Sequence, residues 1–158
     1  GITEPAIYRH YDSKTDILIA VLDLFKQNTE QLFEKELQNG GKAIDKIEHL
    51  FTNHFITLSR TPSLVSVIFS EEIFRNEPVL IDKIFEVIGK NDKILTTIII
   101  NGQKNGEIRT DIEAGYLSTI ITGSLRLFVK KWQFSAFSYD LPKEGKNLID
   151  SIKLLITK

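Results

Sequence analysis

Three histidines and a complete lack of cysteine limit the chemistry that this 158-residue sequence can perform. Without a thiol it can form no disulfide, zinc–thiolate site or cysteine nucleophile. His49 and His54 are five residues apart, so on a helix they lie on different faces and do not form a metal-binding pair. The sequence also has no Ser-His-Asp spacing, glycine-rich phosphate loop or paired-carboxylate motif. We therefore expect no enzyme activity, no bound metal and no cofactor.

The first fourteen residues combine small, basic and aromatic side chains in the most specific pattern of the chain. Thr3 can cap a very short helix, and Pro5 is tolerated within its first turn. Ile7 and Tyr11, four residues apart, would pack inward. The outer face would then consist of small and polar residues: Thr3, Ala6, Arg9 and His10. Three side chains could donate hydrogen bonds to phosphates: Tyr8, His10 and Lys14.

A short helix with such an outer face is how a helix-turn-helix protein enters the major groove of DNA. A plain helical corner with a cap explains the same residues equally well, so the spacing by itself leaves both interpretations open. The charges do not decide between them, because Arg9 and Lys14 are balanced by Glu4 and Asp12.

Aromatic side chains from four predicted helices could wall one cavity for an apolar or amphipathic ligand. These phenylalanines are Phe25, Phe51, Phe55, Phe69, Phe74 and Phe85. His54 lies on an apolar stripe and could hydrogen-bond the head group of a ligand. An ordinary hydrophobic core accounts for such phenylalanines more often, and a satisfied core or boundary position accounts for such a histidine more often.

Two apolar stripes in the second half of the chain predict a contact between two copies of it. The first stripe contains Ile120, Ser124, Leu127, Phe128 and Lys131, and the second contains Leu148, Ser151, Ile152 and Leu155. Two such helices from each subunit would form an isologous four-helix contact. If both stripes faced the chain's own core, one face of each helix would be explained, but not the apolar excess on both sides.

The elements that must position these side chains are helices. Apolar residues recur at three- and four-residue steps, and Ser13 and Asp111 are predicted to cap the helices that follow them. The predicted helices span about 14–38, 42–60, 62–74, 78–104, 111–134 and 143–158. Residues 96–100 have the β-branched composition of a strand, but the helical period continues across them and no partner strand is predicted nearby. The sequence therefore predicts an all-α fold.

The composition excludes several classes of protein. Hydrophobic residues make up 42% and charged residues 26% of the chain, which is typical of a globular protein and not of a disordered one. Lys and Arg total 20 against 21 Asp and Glu, so the net charge of −1 excludes a globally basic nucleic-acid binder but not a local basic patch. No apolar run is long enough to span a membrane, and the first residues do not resemble a signal peptide. We therefore expect a cytoplasmic protein.

The amino-terminal segment resembles the end of the DNA-binding domain in the tetracycline-repressor (TetR) family of bacterial regulators. That family has a glycine at the turn, a Tyr-x-x-aromatic run in the recognition helix and a Ser/Asn-Lys start to the next helix. The matching residues are Gly1, Tyr8, Tyr11, Ser13 and Lys14, followed by Ile17 and Leu18. Residues 101–109 resemble the family's Gly-Glu-Ile loop, and Gly123 and Trp132 occur where its penultimate long helix often has a glycine and a late aromatic residue. The layout is similar to the subgroup that senses fatty acyl-CoA esters.

The resemblance implies that residues 1–14 form the end of a helix-turn-helix DNA-binding domain and residues 15–158 an effector-binding and dimerisation domain. The family has two helices before the recognition helix, about 30 residues that this sequence does not contain. The sequence also has no methionine, and we expect it to bind operator DNA only when those helices are restored.

The function implied by the resemblance is a ligand-responsive transcriptional regulator that acts as a homodimer. It would be a repressor that a small apolar or amphipathic effector releases from its operator. A helical small-molecule carrier or adaptor without DNA binding is the alternative, and an enzyme ranks last.

Overall fold

The computed structural model describes residues 13–69 and 77–157, and within these ranges the chain is helical without any strand. The helices are α1 (Lys14–Gln38), α2 (Ala43–Arg60), α3 (Pro62–Ile68), α4 (Pro78–Lys104), α5 (Ala114–Phe134) and α6 (Leu141–Ile156). The prediction of an all-α fold is confirmed, and residues 96–100 lie inside α4 in spite of their β-branched side chains. In the described ranges, no helix combines the length and apolar character needed to cross a membrane.

Ser13 begins α1 as the sequence predicts. Its hydroxyl oxygen accepts a hydrogen bond from the Asp16 N–H at 3.1 Å, and the hydroxyl donates to the Asp16 carboxylate at 2.7 Å. The helix ends where the Asn39 N–H donates to the Lys35 carbonyl at 3.0 Å. The chain then turns at Gly41, whose φ of +100° is a conformation that glycine adopts without the steric cost of a side chain.

The predicted start of α5 is wrong by three residues. Asp111 does not cap the helix, because the Arg109 guanidinium holds its carboxylate through hydrogen bonds of 2.7 and 2.6 Å. The helix begins instead at Ala114, and the residue before it makes no side-chain cap bond. Asp111 therefore fixes the loop before α5 and not the helix itself.

The connection between α5 and α6 is shorter than the sequence predicts. Asp140 caps α6, since its carboxylate accepts a hydrogen bond from the Lys143 N–H at 3.0 Å, and the helix therefore begins at Leu141. The Trp132 indole N–H donates to the Tyr139 carbonyl at 2.8 Å and holds this connection against the end of α5.

The Gly-Glu-Ile loop after α4 ties three helices together. The Glu107 carboxylate accepts a hydrogen bond from the Ala43 N–H at 2.5 Å and so satisfies a free backbone donor at the start of α2. The Ile108 side chain is fully buried. The Arg109 N–H donates to the Ile156 carbonyl at 2.8 Å, at the last turn of α6. The loop therefore has a structural role that explains its specific sequence.

Phe55 on α2 lies at the centre of the core that α2 forms with α5 and α6. Its side chain is 1% exposed, and its ring packs edge to face on the Phe128 ring at 5.7 Å. Gly145 on α6 lies directly against the same ring, where a Cβ atom would come within 2.6 Å of Phe55 Cε2. The close approach of α6 to α2 therefore depends on a glycine.

Helices α1 and α4 run parallel, because ion pairs join them at a constant offset of 60 residues. Each pair places a residue of α1 level with the residue 60 positions later on α4. The pairs are Asp23–Lys83, Lys26–Glu86 and Glu30–Lys90. Lys90 also contacts Glu34 at 2.9 Å. These pairs fix the register of the two helices that form the largest walls of the site described next.

Candidate ligand cavity

A cavity of about 290 Å³ lies between α1, α2, α4 and α5, and the end of α3 contributes to its wall. The apolar lining residues are Leu22, Phe25, Phe33, Leu50, Phe51, Ile68, Phe69, Ile84, Val87, Ile88 and Leu125. The remaining lining residues are Thr29, His54, Asn91, Asp92, Thr119, Thr122, Gly123 and Arg126. A concave and largely apolar site with a few polar groups is typical of a binding site for a small organic molecule.

Helical spacing explains how the two longest walls form. The wall from α1 consists of residues three or four positions apart: Leu22, Phe25, Thr29 and Phe33. The wall from α4 has the same spacing and contains Ile84, Val87, Ile88 and Asn91. Residues at these intervals share one face of a helix, so both helices turn a mainly apolar face toward the cavity, interrupted by Thr29 on α1 and by Asn91 and Asp92 on α4.

One end of the cavity, which we call the arginine end, contains His54 and Arg126. The His54 ring packs edge to face against Phe25, with 6.0 Å between ring centroids. The Arg126 guanidinium lies 5.0 Å from the centroid of the Phe69 ring, a favourable cation–π distance. In the described part of the chain Arg126 has no carboxylate partner, so this end has a positive charge available to a ligand.

The opposite end, which we call the aspartate end, contains Asn91 and Asp92 on α4. The buried Ser118 hydroxyl on α5 donates to the Asp92 carboxylate at 2.6 Å. This hydrogen bond aligns the first turns of α5 with the middle of α4. No lysine or arginine of the described residues forms an ion pair with Asp92.

The length of the helices between the two ends gives their separation. Ser118 at the aspartate end and Arg126 at the arginine end are eight residues apart on α5, which corresponds to about 12 Å along the helix axis. On α1, the same number of residues separates Phe25, which contacts His54, from Phe33. The cavity is therefore elongated, with charged and unpartnered polar groups at its ends and a largely apolar middle.

Three polar lining side chains make no hydrogen bond within the described residues: Arg126, His54 and Asn91. Burial lowers the pKa of His54 to about 4, so its imidazole is neutral at pH 7. The Asn91 amide oxygen is buried without a partner. The threonine hydroxyls of the wall are satisfied internally, as when Thr29 donates to the Phe25 carbonyl at 2.7 Å. A buried polar group without a partner is costly, so a ligand that forms a hydrogen bond with His54 or Asn91 would gain binding free energy there.

The cavity opens to solvent between α4 and α5. Four of its lining residues are exposed, and all of them belong to these two helices: Ile88, Thr119, Gly123 and Arg126. The deepest wall is formed by buried side chains of α1 and α2, among them Leu22 and Leu50. A ligand would therefore enter past α5 and have its far side against α1.

The structure separates the predicted pocket residues into two groups. Phe25, Phe51, His54 and Phe69 line the cavity. Phe55 lies in the core against Phe128, outside the cavity wall. Phe85 is 70% exposed, because it lies on the side of α4 that faces away from Ile84 and Val87. Phe74 lies outside the described residues.

Several polar lining residues were absent from the sequence prediction: Asn91, Asp92, Thr119, Thr122 and Arg126. One signal could have identified Asn91, since it follows Ile84, Val87 and Ile88 at helical spacing and is a polar residue on an apolar stripe. Nothing in the sequence could have placed Arg126 in the wall of the same cavity, because that requires the packing of α5 on α4.

The predicted DNA-contacting residues Thr3, Pro5, Ala6, Tyr8, Arg9 and His10 lie outside the described residues. Lys14 forms the first residue of α1. The position of these residues in the sequence nevertheless matters for the site, since residues 1–12 lead directly into α1, which forms the deep wall of the cavity.

The predicted dimer residues fall into three groups. Ile120, Ser151 and Lys131 are exposed, as are Leu127 and Leu155, which are 59% and 63% exposed. Ser124 and Leu148 are half-buried. Phe128 and Ile152 face the chain's own core, since Phe128 contacts Phe55 and Tyr139 and Ile152 is buried. Three further large side chains are exposed on the same two helices: Tyr116, Phe134 and Leu154.

Comparison with known proteins relates this architecture to bacterial regulators. The family model TetR_C_4, described as the C-terminal region of YsiA-like protein, matches residues 25–157. The fatty acid metabolism regulator protein of Bacillus subtilis is 26% identical over 153 residues, covering 95% of this chain and 77% of that protein. The probable acrEF/envCD operon repressor of Escherichia coli K12 is 24% identical over 158 residues, covering 96% of this chain and 71% of that protein.

A solved structure has the same fold. The transcriptional regulator FadR from Bacillus subtilis, crystallised in complex with stearoyl-CoA, superimposes with a TM-score of 0.72 at 23% identity. The match covers 95% of this chain and 80% of that one. Since the family model covers most of the sequence and the curated relatives are transcriptional regulators, the chain belongs to the TetR family of ligand-responsive transcriptional regulators, with the layout of its fatty acyl-CoA-responsive subgroup.

Proposed function

We propose that residues 15–158 are the effector-binding and dimerisation domain of a cytoplasmic repressor and that residues 1–14 end its DNA-binding domain. The observation that supports this proposal is the position of α1, which follows residues 1–12 in the sequence and forms the deep wall of the cavity. A ligand in the cavity therefore contacts the helix that joins it to the DNA-binding residues Thr3, Pro5, Ala6, Tyr8, Arg9, His10 and Lys14.

The proposed mechanism is a displacement of α1 by the ligand. Phe25 and Phe33 of α1 face the cavity, while ion pairs such as Lys26–Glu86 hold the same helix to α4. A ligand that binds better when α1 has moved shifts the population toward that state. In a dimer this changes the separation of two recognition helices, which must match half-sites about 34 Å apart. The operator is then released.

The dimer in this proposal forms through the exposed faces of α5 and α6. Large apolar side chains on these faces are solvent-exposed in a single chain, and exposed apolar patches of this kind mark interfaces. Ile120 and Leu127 lie about two helical turns apart on α5, on the same face as Tyr116 and Phe134. A two-fold axis would bring this face against its own copy.

Native mass spectrometry of the purified chain tests the dimer. We expect a dimer for the wild type and a monomer for Leu127→Asp, because a carboxylate at the centre of an apolar interface is left unpaired. Leu24→Asp is the matched control, since Leu24 is 61% exposed but lies on α1, and it should remain dimeric. A wild-type monomer at micromolar concentration would contradict the proposal.

A mobility-shift assay tests the repressor. The product of the complete reading frame is mixed with the DNA upstream of its gene, with and without a panel of saturated and hydroxylated fatty acids and their CoA thioesters. We expect retarded DNA that at least one amphiphile releases. Binding of an amphiphile by the protein without any retarded DNA would instead support a carrier or adaptor.

A further inference from the structure

The two ends of the cavity differ in charge, and both contain groups that have no polar partner among the described residues. The arginine end has the Arg126 guanidinium, which contacts the Phe69 ring but no carboxylate among the described residues. The aspartate end has the Asn91 amide, whose buried oxygen accepts no hydrogen bond, and the Asp92 carboxylate. A ligand that satisfies both ends must therefore have two different polar groups.

The size of the cavity limits the part of the ligand between these groups. The ends are about 12 Å apart along α5. An extended chain of eighteen carbons is longer than this distance, whereas an extended chain of about ten carbons matches it. The walls between the ends are largely apolar and their threonine hydroxyls donate to backbone carbonyls, so the body of the ligand is a hydrocarbon.

The chemistry of each end assigns the polar groups. The exposed guanidinium of Arg126 favours an anionic group at the mouth, where part of that group stays hydrated. The acceptors of Asn91 and Asp92 favour a hydrogen-bond donor at the far end. A second anion is excluded there, because it would face the Asp92 carboxylate with no positive partner in the described part of the chain.

We propose that the effector is a medium-length, bifunctional amphiphile with an anionic group at one end and a hydroxyl at the other, about ten carbons apart. The anionic group binds Arg126 and the hydroxyl donates to the oxygens of Asn91 and Asp92. This inference rests on the proposed function for its regulatory meaning, but the binding preference is a property of the cavity alone.

Isothermal titration calorimetry with four defined probes tests the preference. The probes are 10-hydroxydecanoate, decanoate, decanedioate and stearate. We expect 10-hydroxydecanoate to bind about tenfold more tightly than decanoate, as one satisfied buried acceptor is worth roughly this factor. Decanedioate and stearate should bind most weakly, the first because of the second charge and the second because of its length. Equal affinity for decanoate and 10-hydroxydecanoate, or tightest binding of stearate, would overturn the proposal.

Variants of the aspartate end separate a specific contact from a change in folding. Asn91→Leu should abolish the preference for 10-hydroxydecanoate, whereas Asn101→Leu, an exposed position ten residues further along α4, should leave it unchanged. Asp92→Asn should increase the affinity for decanedioate, a gain that a misfolded protein cannot produce. If Asp92→Asn leaves decanedioate binding unchanged, the carboxylate does not select the far group and the proposal is wrong.

The two assays together distinguish failure of the proposed ligand class from failure of the proposed repressor function. If 10-hydroxydecanoate binds as expected but does not release DNA in the mobility-shift assay, the ligand class stands and the repressor mechanism fails. If another amphiphile releases the DNA while none of the four probes shows the expected order of affinity, the repressor stands and the ligand class fails.

Discussion

Gly145→Ala tests the packing of α6 on α2 through the addition of one methyl group. In the native backbone the new Cβ would lie within 2.6 Å of Phe55 Cε2 and 2.9 Å of Phe55 Cγ. The Phe55 ring cannot retreat easily, because it is 1% exposed and the Phe128 ring packs 5.7 Å from it. Either the ring or α6 must therefore move.

Two opposing effects determine how much Gly145→Ala changes the free energy of unfolding. Overpacking of a core costs about 1–3 kcal/mol, and alanine gains up to about 1 kcal/mol over glycine in a helix. We expect Gly145→Ala to lower the free energy of unfolding by about 1–2 kcal/mol, which for a domain of this size lowers Tm by about 2–8 °C. Gly89→Ala on α4 is the matched control, since no atom lies within 4 Å of its added Cβ, and it should raise Tm by a few degrees.

Urea unfolding followed by the fluorescence of the single tryptophan measures both variants. Trp132 is 4% exposed in the folded chain, so its emission reports unfolding of the core. Wild type and variants are compared at one protein concentration, because association stabilises the folded state. If Gly145→Ala is as stable as the wild type or more stable, the close contact between α6 and Phe55 does not limit packing and the reasoning is refuted.

Three further predictions concern other parts of the molecule. Burial lowers the pKa of His54 to about 4. The unfolded chain therefore binds a proton on His54 below about pH 6.5, whereas the folded chain binds it only below about pH 4. The free energy of unfolding should therefore fall by up to about 3 kcal/mol as the pH is lowered from 6.5 to 4. Urea titrations at pH 7 and 5 measure this fall, and His54→Leu should reduce the dependence of stability on pH. Trp132→Phe leaves the Tyr139 carbonyl without its donor and should cost about 1–3 kcal/mol in thermal unfolding; stability equal to wild type would contradict it. Lys90→Met removes two partly exposed ion pairs to α1 and should cost less than about 1 kcal/mol, which thermal scans at low and high salt can detect.

The helices and the family could be predicted from the sequence because their signals are local. The Ser13 cap and the glycine after α1 act within a few residues of themselves, so their types and spacing were sufficient. The prediction failed where a local signal had two possible partners. Asp111 could cap a helix or pair with Arg109, and only the folded loop shows that it pairs.

The sequence was sufficient to predict a largely apolar ligand cavity, but not which of the candidate residues line it. Apolar spacing identified Phe25 and Phe51 as candidates, but the same spacing also included Phe55 and Phe85, which the fold assigns to the core and to the surface. Periodicity says which face of a helix is apolar, and it does not say what that face meets.

The sequence by itself determined the all-α class, most helix ends and the family, because these depend on interactions over a few residues or on a short motif. Only the tertiary structure decided that α1 and α4 run parallel in a fixed register and that α5 brings Arg126 to the cavity, about 12 Å along the helix axis from the Ser118 that bonds Asp92. Those positions depend on contacts between residues far apart in the chain. The charge pattern of the cavity, and with it the ligand that we propose, is therefore a property of the packing.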